Sequence, residues 1–264
     1  MRYSKFTENK IEDYYKCLYR ERLRLKDWLD RVKNRIKEEE VEEERLKQLQ
    51  FLLGKIFAPG KKCLIVGAGT GGAAIVLFKK FKCEVWGIEP DEKALDIIHS
   101  KCKEIDLSPD NFKKEYCEKM SFPEEEFDFI YCFTVLEHVN DVSQCIDEMI
   151  RVLKRGGVIY INTPNYQFPY EGHYKIPFPT FLPKIFGYIF LLLLRRPTKY
   201  FFKNINYITS KDIDKILFKK NNIIYFRIFR GKNLEKKTII QRIYAFIQQK
   251  LLIYPTQEVI IKKV

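Results

Sequence analysis

The sequence lacks the marks of several protein classes. Its seven cysteines, Cys17, Cys63, Cys83, Cys102, Cys117, Cys132 and Cys145, are an odd set with no C-x-x-C pair. Several fall inside apolar runs, so they read as small packing residues of a reduced, cytoplasmic protein and not as a disulfide framework. The longest apolar run, Ile185 to Leu194, has ten residues, about half of the ~20 that a membrane-spanning helix needs. The start, Met1-Arg2-Tyr3-Ser4-Lys5, leads into a charged helical pattern and not into an apolar leader. Histidine is scarce, with only His99, His138 and His173. Acidic residues are scarce at one end. Lys and Arg exceed Asp and Glu by 14 over residues 168–264 and by 3 over 1–58, and fall short by 4 over 59–167. The basic final third points either to an anionic partner, which would be a phosphorylated substrate, a nucleic acid or an acidic membrane surface, or to a lysine-rich background surface with no partner.

What is present is enough for one full core and a small appendage: 264 residues, 46% of them hydrophobic. From Ile11 to Ile36 apolar residues recur at alternating spacings of three and four, predicting a helix with one sticky stripe. The run Glu38-Glu39-Glu40-Val41-Glu42-Glu43-Glu44 reads as a solvated face that breaks the pattern. A second helix then passes through Leu46, Leu49, Leu53 and Ile56 until Ala58-Pro59-Gly60 stops it. Residues 1–58 are therefore expected to form a helical cap, with a homodimerising arm as the alternative.

After Gly60, short apolar strands alternate with helical stretches, as in a parallel sheet with crossover helices. Strands are predicted at Cys63 to Val66, Glu84 to Ile88, Phe112 to Cys117, Phe127 to Phe133, Val158 to Asn162, Ile223 to Phe229 and Glu258 to Val264. Helices are predicted at 71–80, 91–104, 141–154 and from Ser210 to Lys220. A Pro- and aromatic-rich insertion at about 165–209 follows a strand's C-terminal end, where open sheets bind ligands, so it is expected to be a substrate lid. A second insertion, Gly231 to Pro255, reads as helical from Lys236 to Leu252.

Leu64-Ile65-Val66-Gly67-Ala68-Gly69-Thr70-Gly71-Gly72 is an apolar strand running through glycines into a helix, a turn that lets backbone approach a ligand closely. Glu89 closes the next strand, where a carboxylate can accept hydrogen bonds from ribose hydroxyls. Both features serve a dinucleotide and S-adenosylmethionine equally. The downstream segments separate the two. Met120-Ser121-Phe122-Pro123-Glu124-Glu125-Glu126-Phe127-Asp128, then Val135-Leu136-Glu137-His138-Val139, then Leu153-Lys154-Arg155-Gly156-Gly157-Val158 resemble the class I S-adenosylmethionine-dependent methyltransferases over roughly residues 60–165. The similarity is greatest to the family of ubiquinone-biosynthesis O-methyltransferases.

The resemblance implies an α/β fold: a Rossmann-like seven-stranded sheet with strand seven antiparallel, filling residues 59–264. It implies S-adenosylmethionine as cofactor. Gly67, Ala68, Gly69 and Gly71 would lie along its methionine end and ribose, Glu89 on the ribose hydroxyls, Tyr116 and Cys117 beside the adenine, and Phe133 beneath the reacting methyl. Two positions depart from the family pattern: Ile65 stands where Asp is usual before the loop, and Tyr116 where Asp is usual beside the adenine.

His173, in Glu171-Gly172-His173-Tyr174, is a candidate general base if the lid folds over the strand ends, and His138 after strand four is a second candidate; imidazole titrates near neutrality. His99, near Lys101 and Lys103, reads as a surface residue. Some relatives hold a divalent metal through E-x-x-E-H and a later His. Thr134 replaces the first Glu here, so no metal is expected. Gly172-His173-Tyr174-Lys175-Ile176-Pro177, Phe181-Leu182-Pro183, Arg195-Arg196-Pro197 and Asn206-Tyr207-Ile208-Thr209 resemble a lid of methyltransferases from surface-glycan gene clusters, which implies a glycan or lipid-linked acceptor. Lys184, the apolar stretch and Arg195-Arg196 suit either a peripheral contact at the inner membrane surface or a buried lid helix. Methylation of RNA or protein, noncatalytic donor binding and, least of all, a dehydrogenase are the alternative functions.

Overall fold

The structure, a computed structural model, describes residues 3–180, 182–228 and 254–264. Seven strands form one sheet: β1 (Lys62–Val66), β2 (Glu84–Ile88), β3 (Phe112–Lys113), β4 (Phe127–Phe133), β5 (Leu153–Pro164), β6 (Ile223–Ile228) and β7 (Thr256–Lys263). Their order across the sheet is 3-2-1-4-5-7-6. β1 to β5 pair in parallel, and β7 runs antiparallel to both neighbours, with Ile159 opposite Ile261 and Tyr225 opposite Ile261 from the other side. This is the doubly wound fold expected. The predicted third strand is cut to two residues, and Tyr116 keeps only an isolated bridge to Lys119. The predicted helix from Lys236 to Leu252, and Phe229 at the end of β6, lie outside the described residues.

Helices cover both faces because the central strands are apolar on both sides. α4 (Gly72–Phe81) is buried along Ala73, Ala74, Ile75, Val76 and Leu77. α5 (Glu92–Lys103) starts where the Asp91 carboxylate accepts from the N–H groups of Lys93 and Ala94, and α6 (Val142–Val152) where Asp141 accepts from Gln144. α9 (Ser210–Leu217) opens on a Thr209/Asp212 capping box. On the α6 side Cys117 is joined to Cys145 by a disulfide. That corrects the reading of a wholly reduced set, though five cysteines remain free.

The N-terminal stripe is not one helix. α1 (Lys5–Lys16) runs into a π-helical stretch, Cys17–Arg22, the chain turns, and α2 (Trp28–Ile36) follows. The acidic run does not break the pattern. It begins α3 (Glu38–Leu53), where carboxylates complement the positive helix N-terminus. Nor is that run a solvated face. Glu38 and Glu39 are buried and both accept, at 2.7 Å, from the Lys101 ammonium, which is itself fully buried on α5. Burial works against the Lys101 charge, but the two carboxylates outweigh it and hold the lysine protonated. Buried charges persist only when paired in this way. The Tyr3 hydroxyl donates to Glu39 and completes the cluster. The cap is thus bolted to the sheet domain, and its Phe57 packs between Phe81 and Phe129.

After β5 the chain leaves the sheet for the insertion. A two-stranded ribbon pairs Tyr170–Glu171 with Ile176–Pro177, α7 (Lys184–Leu193) and α8 (Lys199–Asn204) follow, and the Tyr166 N–H closes the excursion on the Ile208 carbonyl at 3.0 Å.

Candidate functional site

The glycine turn sits where β1 ends, between the ends of β2 and β4. Gly67 has φ of +68°, and a Cβ built there would stand 2.3 Å from the Val135 Cγ2, so the approach of the post-β4 loop to the turn requires glycine. Thr134 causes that approach. Its φ of +54°, uncommon for a β-branched residue, turns the chain sharply off β4.

The Glu89 carboxylate reaches across from β2, accepting from the Gly69 N–H at 2.7 Å and the Asp91 N–H at 2.9 Å. Burial dominates its titration and pushes its pKa up to about 7, although both N–H groups favour the carboxylate. Ala68 and Gly71 complete the turn, the Ala68 N–H donating to the Ile88 carbonyl and the Gly71 N–H to Ala68. A buried carboxylate beside a turn whose first glycine, Gly67, admits no Cβ could hold an adenosyl donor: Gly67 to Gly71 would lie along its amino-acid end and Glu89 on its ribose.

The cap forms part of this site, which the sequence did not suggest. The Tyr15 hydroxyl lies 3.0 Å from Thr70 Oγ1, which donates to Glu38 at 2.6 Å, so α1 and α3 hold the glycine turn from above. Gly72 leaves room for the Glu38 side chain, 2.9 Å from where a Cβ would stand.

Three other expected donor contacts are placed differently from one another. The Tyr116 ring is exposed. Cys117 spends its sulfur on Cys145, so only its backbone remains for a ligand. Phe133 ends β4 with its ring stacked on Tyr131 and covered by the Arg45 guanidinium, 3.8 Å from the centroid, on the cap side of the sheet. His99 bonds the Phe112 carbonyl at 3.3 Å, and its neighbour Lys101 is core, so this part of α5 is no free surface.

The two histidines proposed for proton transfer, 35 positions apart in sequence, meet above the end of β4, with ring centroids 5.2 Å apart. His173 Nδ1 is 2.7 Å from Glu171 Oε1. Glu171 is fully buried and also accepts from the Tyr166 hydroxyl at 3.2 Å and the Tyr174 N–H at 2.8 Å, so it acts as an anchor. Burial opposes charge on His173, but the hydrogen bond and the charges of Glu171 and Glu137 prevail and raise its pKa. His138 bonds the Asn204 carbonyl through Nδ1. A carbonyl only accepts, so that nitrogen carries the proton. Tyr200 of α8 flanks both rings.

Glu137 is buried beneath the pair. One of its oxygens accepts from Thr163 at 2.9 Å, and the other has no hydrogen-bond partner. Glu137, His138 and His173 each offer one ligand atom, all within 4.8 Å of one another, a grouping that could take a divalent cation or a polar substrate group. Thr134 is outside it, its hydroxyl turned back to the Phe133 carbonyl. The partner Glu171 stands two residues from His173 in sequence; Tyr200 had no signal there.

Lid and cap close over this cluster. The Asn206 N–H donates to the Glu137 carbonyl at 2.7 Å and its side-chain amide to Val139 at 2.6 Å. Lys175 pairs with Asp27 at 2.6 Å, and the Arg196 guanidinium donates to the Arg24 carbonyl at 3.0 Å.

Comparison with known proteins agrees with this geometry. Residues 64–161 match the family described as "Methyltransferase domain". Uncharacterized methyltransferase YcgJ of Bacillus subtilis is 29% identical over 96 residues, 36% of this chain and 38% of that one. Ubiquinone biosynthesis O-methyltransferase of Coxiella burnetii is 28% identical over 121 residues, 46% of this chain and 51% of that one. The chain thus spans about half or less of the length of these curated relatives. The solved YcgJ structure superposes with a TM-score of 0.54 at 17% identity, covering 82% of this chain and 97% of that one. A SAM dependent methyltransferase from Archaeoglobus fulgidus gives 0.52 at 16% identity, covering 86% and 94%. The sheet order, the glycine turn with its buried Glu89 and the matched segment converge: residues 64–161 match a methyltransferase domain, and the chain shares the fold of solved methyltransferases.

Proposed function

We propose that the protein methylates an oxygen of a small acceptor, a sugar, glycan or lipid-linked hydroxyl, with His173 as general base. The observation that carries this reading is the Glu171–His173 pair, held at 2.7 Å over the end of β4, on the side of the sheet edge where the glycine turn opens. The bound donor would supply an electrophilic methyl group. The remaining work is placement and one proton. The Glu171 carboxylate fixes Nδ1 as the protonated nitrogen and leaves Nε2 as the acceptor. Nε2 would take the acceptor hydroxyl's proton as a methyl group passes from the donor's sulfonium sulfur, which keeps the bonding pair, to the acceptor oxygen, and Glu171 would neutralise the imidazolium. His138, hydrogen-bonded through Nδ1 to the lid, fixes where the rings stand. Lid and cap exclude water and hold the two reactants in line, which can contribute about 7–11 kcal/mol.

The test uses the full chain. Calorimetry should show binding of S-adenosylhomocysteine and none of NAD. His173→Ala should lower turnover by roughly 10²- to 10⁴-fold with homocysteine-adduct affinity unchanged. Turnover by the wild type should be unaffected by a chelator. A rate lost to the chelator and restored by a divalent cation would reassign Glu137, His138 and His173 to a metal.

A further inference from the structure

We infer that the outer face of α7 and α8 docks the protein on an anionic lipid bilayer. α7 is not a buried lid helix. Of its ten residues only Gly187 and Leu191 are buried, packed toward Phe178, Tyr207 and the lid interior. Ile185, Phe186, Ile189, Leu192 and Leu193 are exposed, Leu193 at 76%. At ~100° per residue these five fall within one arc of about 120°. Leu182 before the helix and Leu194 after it are exposed as well, and Phe202 of α8, 56% exposed, extends the patch through its edge contact with Tyr188 at 6.0 Å. A cluster of this kind on a water-facing surface marks a binding site.

Two features choose the occupant. The side chains are exposed along one helix face and can insert among acyl chains, which need no shape match. From Gly172 to Lys211 the chain carries positive charge alone. No Asp or Glu occurs between Glu171 and Asp212, whereas Lys175, Lys184, Arg195, Arg196, Lys199, Lys203 and Lys211 do. Lys184 lies against the Phe202 ring at 5.3 Å, its ammonium at the rim of the patch. An apolar arc with Lys184 at its rim, on a segment with no acidic residue, complements a sheet of anionic headgroups over an apolar interior. No described helix is long and apolar enough to cross a membrane, so the contact is peripheral. The inference does not depend on methyl transfer, but it places the bilayer against the same insertion that carries His173 and Tyr200.

Flotation of the full chain with phosphatidylcholine vesicles, with and without phosphatidylglycerol, tests it. The chain should float with the anionic vesicles and largely remain behind without the anionic lipid, and added salt should reduce its recovery. Phe186→Ser with Leu193→Ser should abolish flotation, and Lys199→Gln and Lys203→Gln should each weaken partition about fivefold. Unchanged S-adenosylhomocysteine binding by each variant would show that its fold is intact. Failure of the wild type to float, or flotation indifferent to both sets of substitutions, would overturn the inference. So would a change in sedimentation of the Ser variant without any vesicle binding by the wild type, which would assign the face to a second copy of the chain.

Discussion

Glu89 shows how a single carboxylate can be readied for a ligand. Its pKa of about 7 comes from burial, yet a ribose diol needs the ionised form as a double acceptor. Binding should therefore take up the cost of ionisation, and below pH 7 the affinity for S-adenosylhomocysteine should fall about tenfold per pH unit. Glu89→Gln should bind more weakly and lose that dependence; calorimetry across the pH range checks both. Gly67 carries a steric constraint instead. Gly67→Ala should cost about 1–3 kcal/mol, and Val135→Ala in the same chain should restore part of it, because the nearest obstacle to the new Cβ is a Val135 methyl. Chemical denaturation of the two variants measures the difference. Both residues could be named from the sequence because each follows an apolar strand at a family-wide position. Glu38, Tyr15 and Thr70 could not. Their hydrogen bonds span 32 and 55 positions, and no local pattern encodes a partner at that distance.

At the scale of elements, α3 and α5 are joined by the one lysine that is fully buried among the described residues. Replacing it by an apolar residue leaves Glu39 buried without its cation and Glu38 with only Arg35, 3.8 Å away. Lys101→Met should destabilise the fold by about 3–5 kcal/mol at neutral pH. The pH dependence fixes the cause. In the wild type Glu38, despite burial, is held below its usual pKa by Lys101 and Arg35, so its contribution is present above the unfolded carboxylate pKa and is lost as pH falls. In the variant the carboxylates that have lost Lys101 are easier to bury protonated, so the deficit should shrink as pH falls; melting curves over the acid range test this. Composition suggested the opposite arrangement, a solvated acidic face, because a run of glutamates usually is one. Lys101 cannot be recognised as its partner until α5 packs on α3.

For the molecule as a whole, periodicity and turn residues were sufficient for the order of strands and helices from β1 to β5, since each crossover unit is written locally in apolar runs of fixed spacing. The antiparallel position of β7 came with the family resemblance. The sequence by itself also determined the glycine turn, Glu89 and the scarcity of histidine that directed attention to His138 and His173. Only the tertiary structure decided that these two histidines meet, that Glu171 orients one of them, that Cys117 pairs with Cys145 and that α7 turns its apolar arc outward. The physical reason is that the histidines and the cysteines pair across 35 and 28 positions, and that the place of Glu171 beside His173 and the direction α7 faces depend on how the insertion folds back over the sheet edge, which is set by packing between elements and not by the pattern within any one of them.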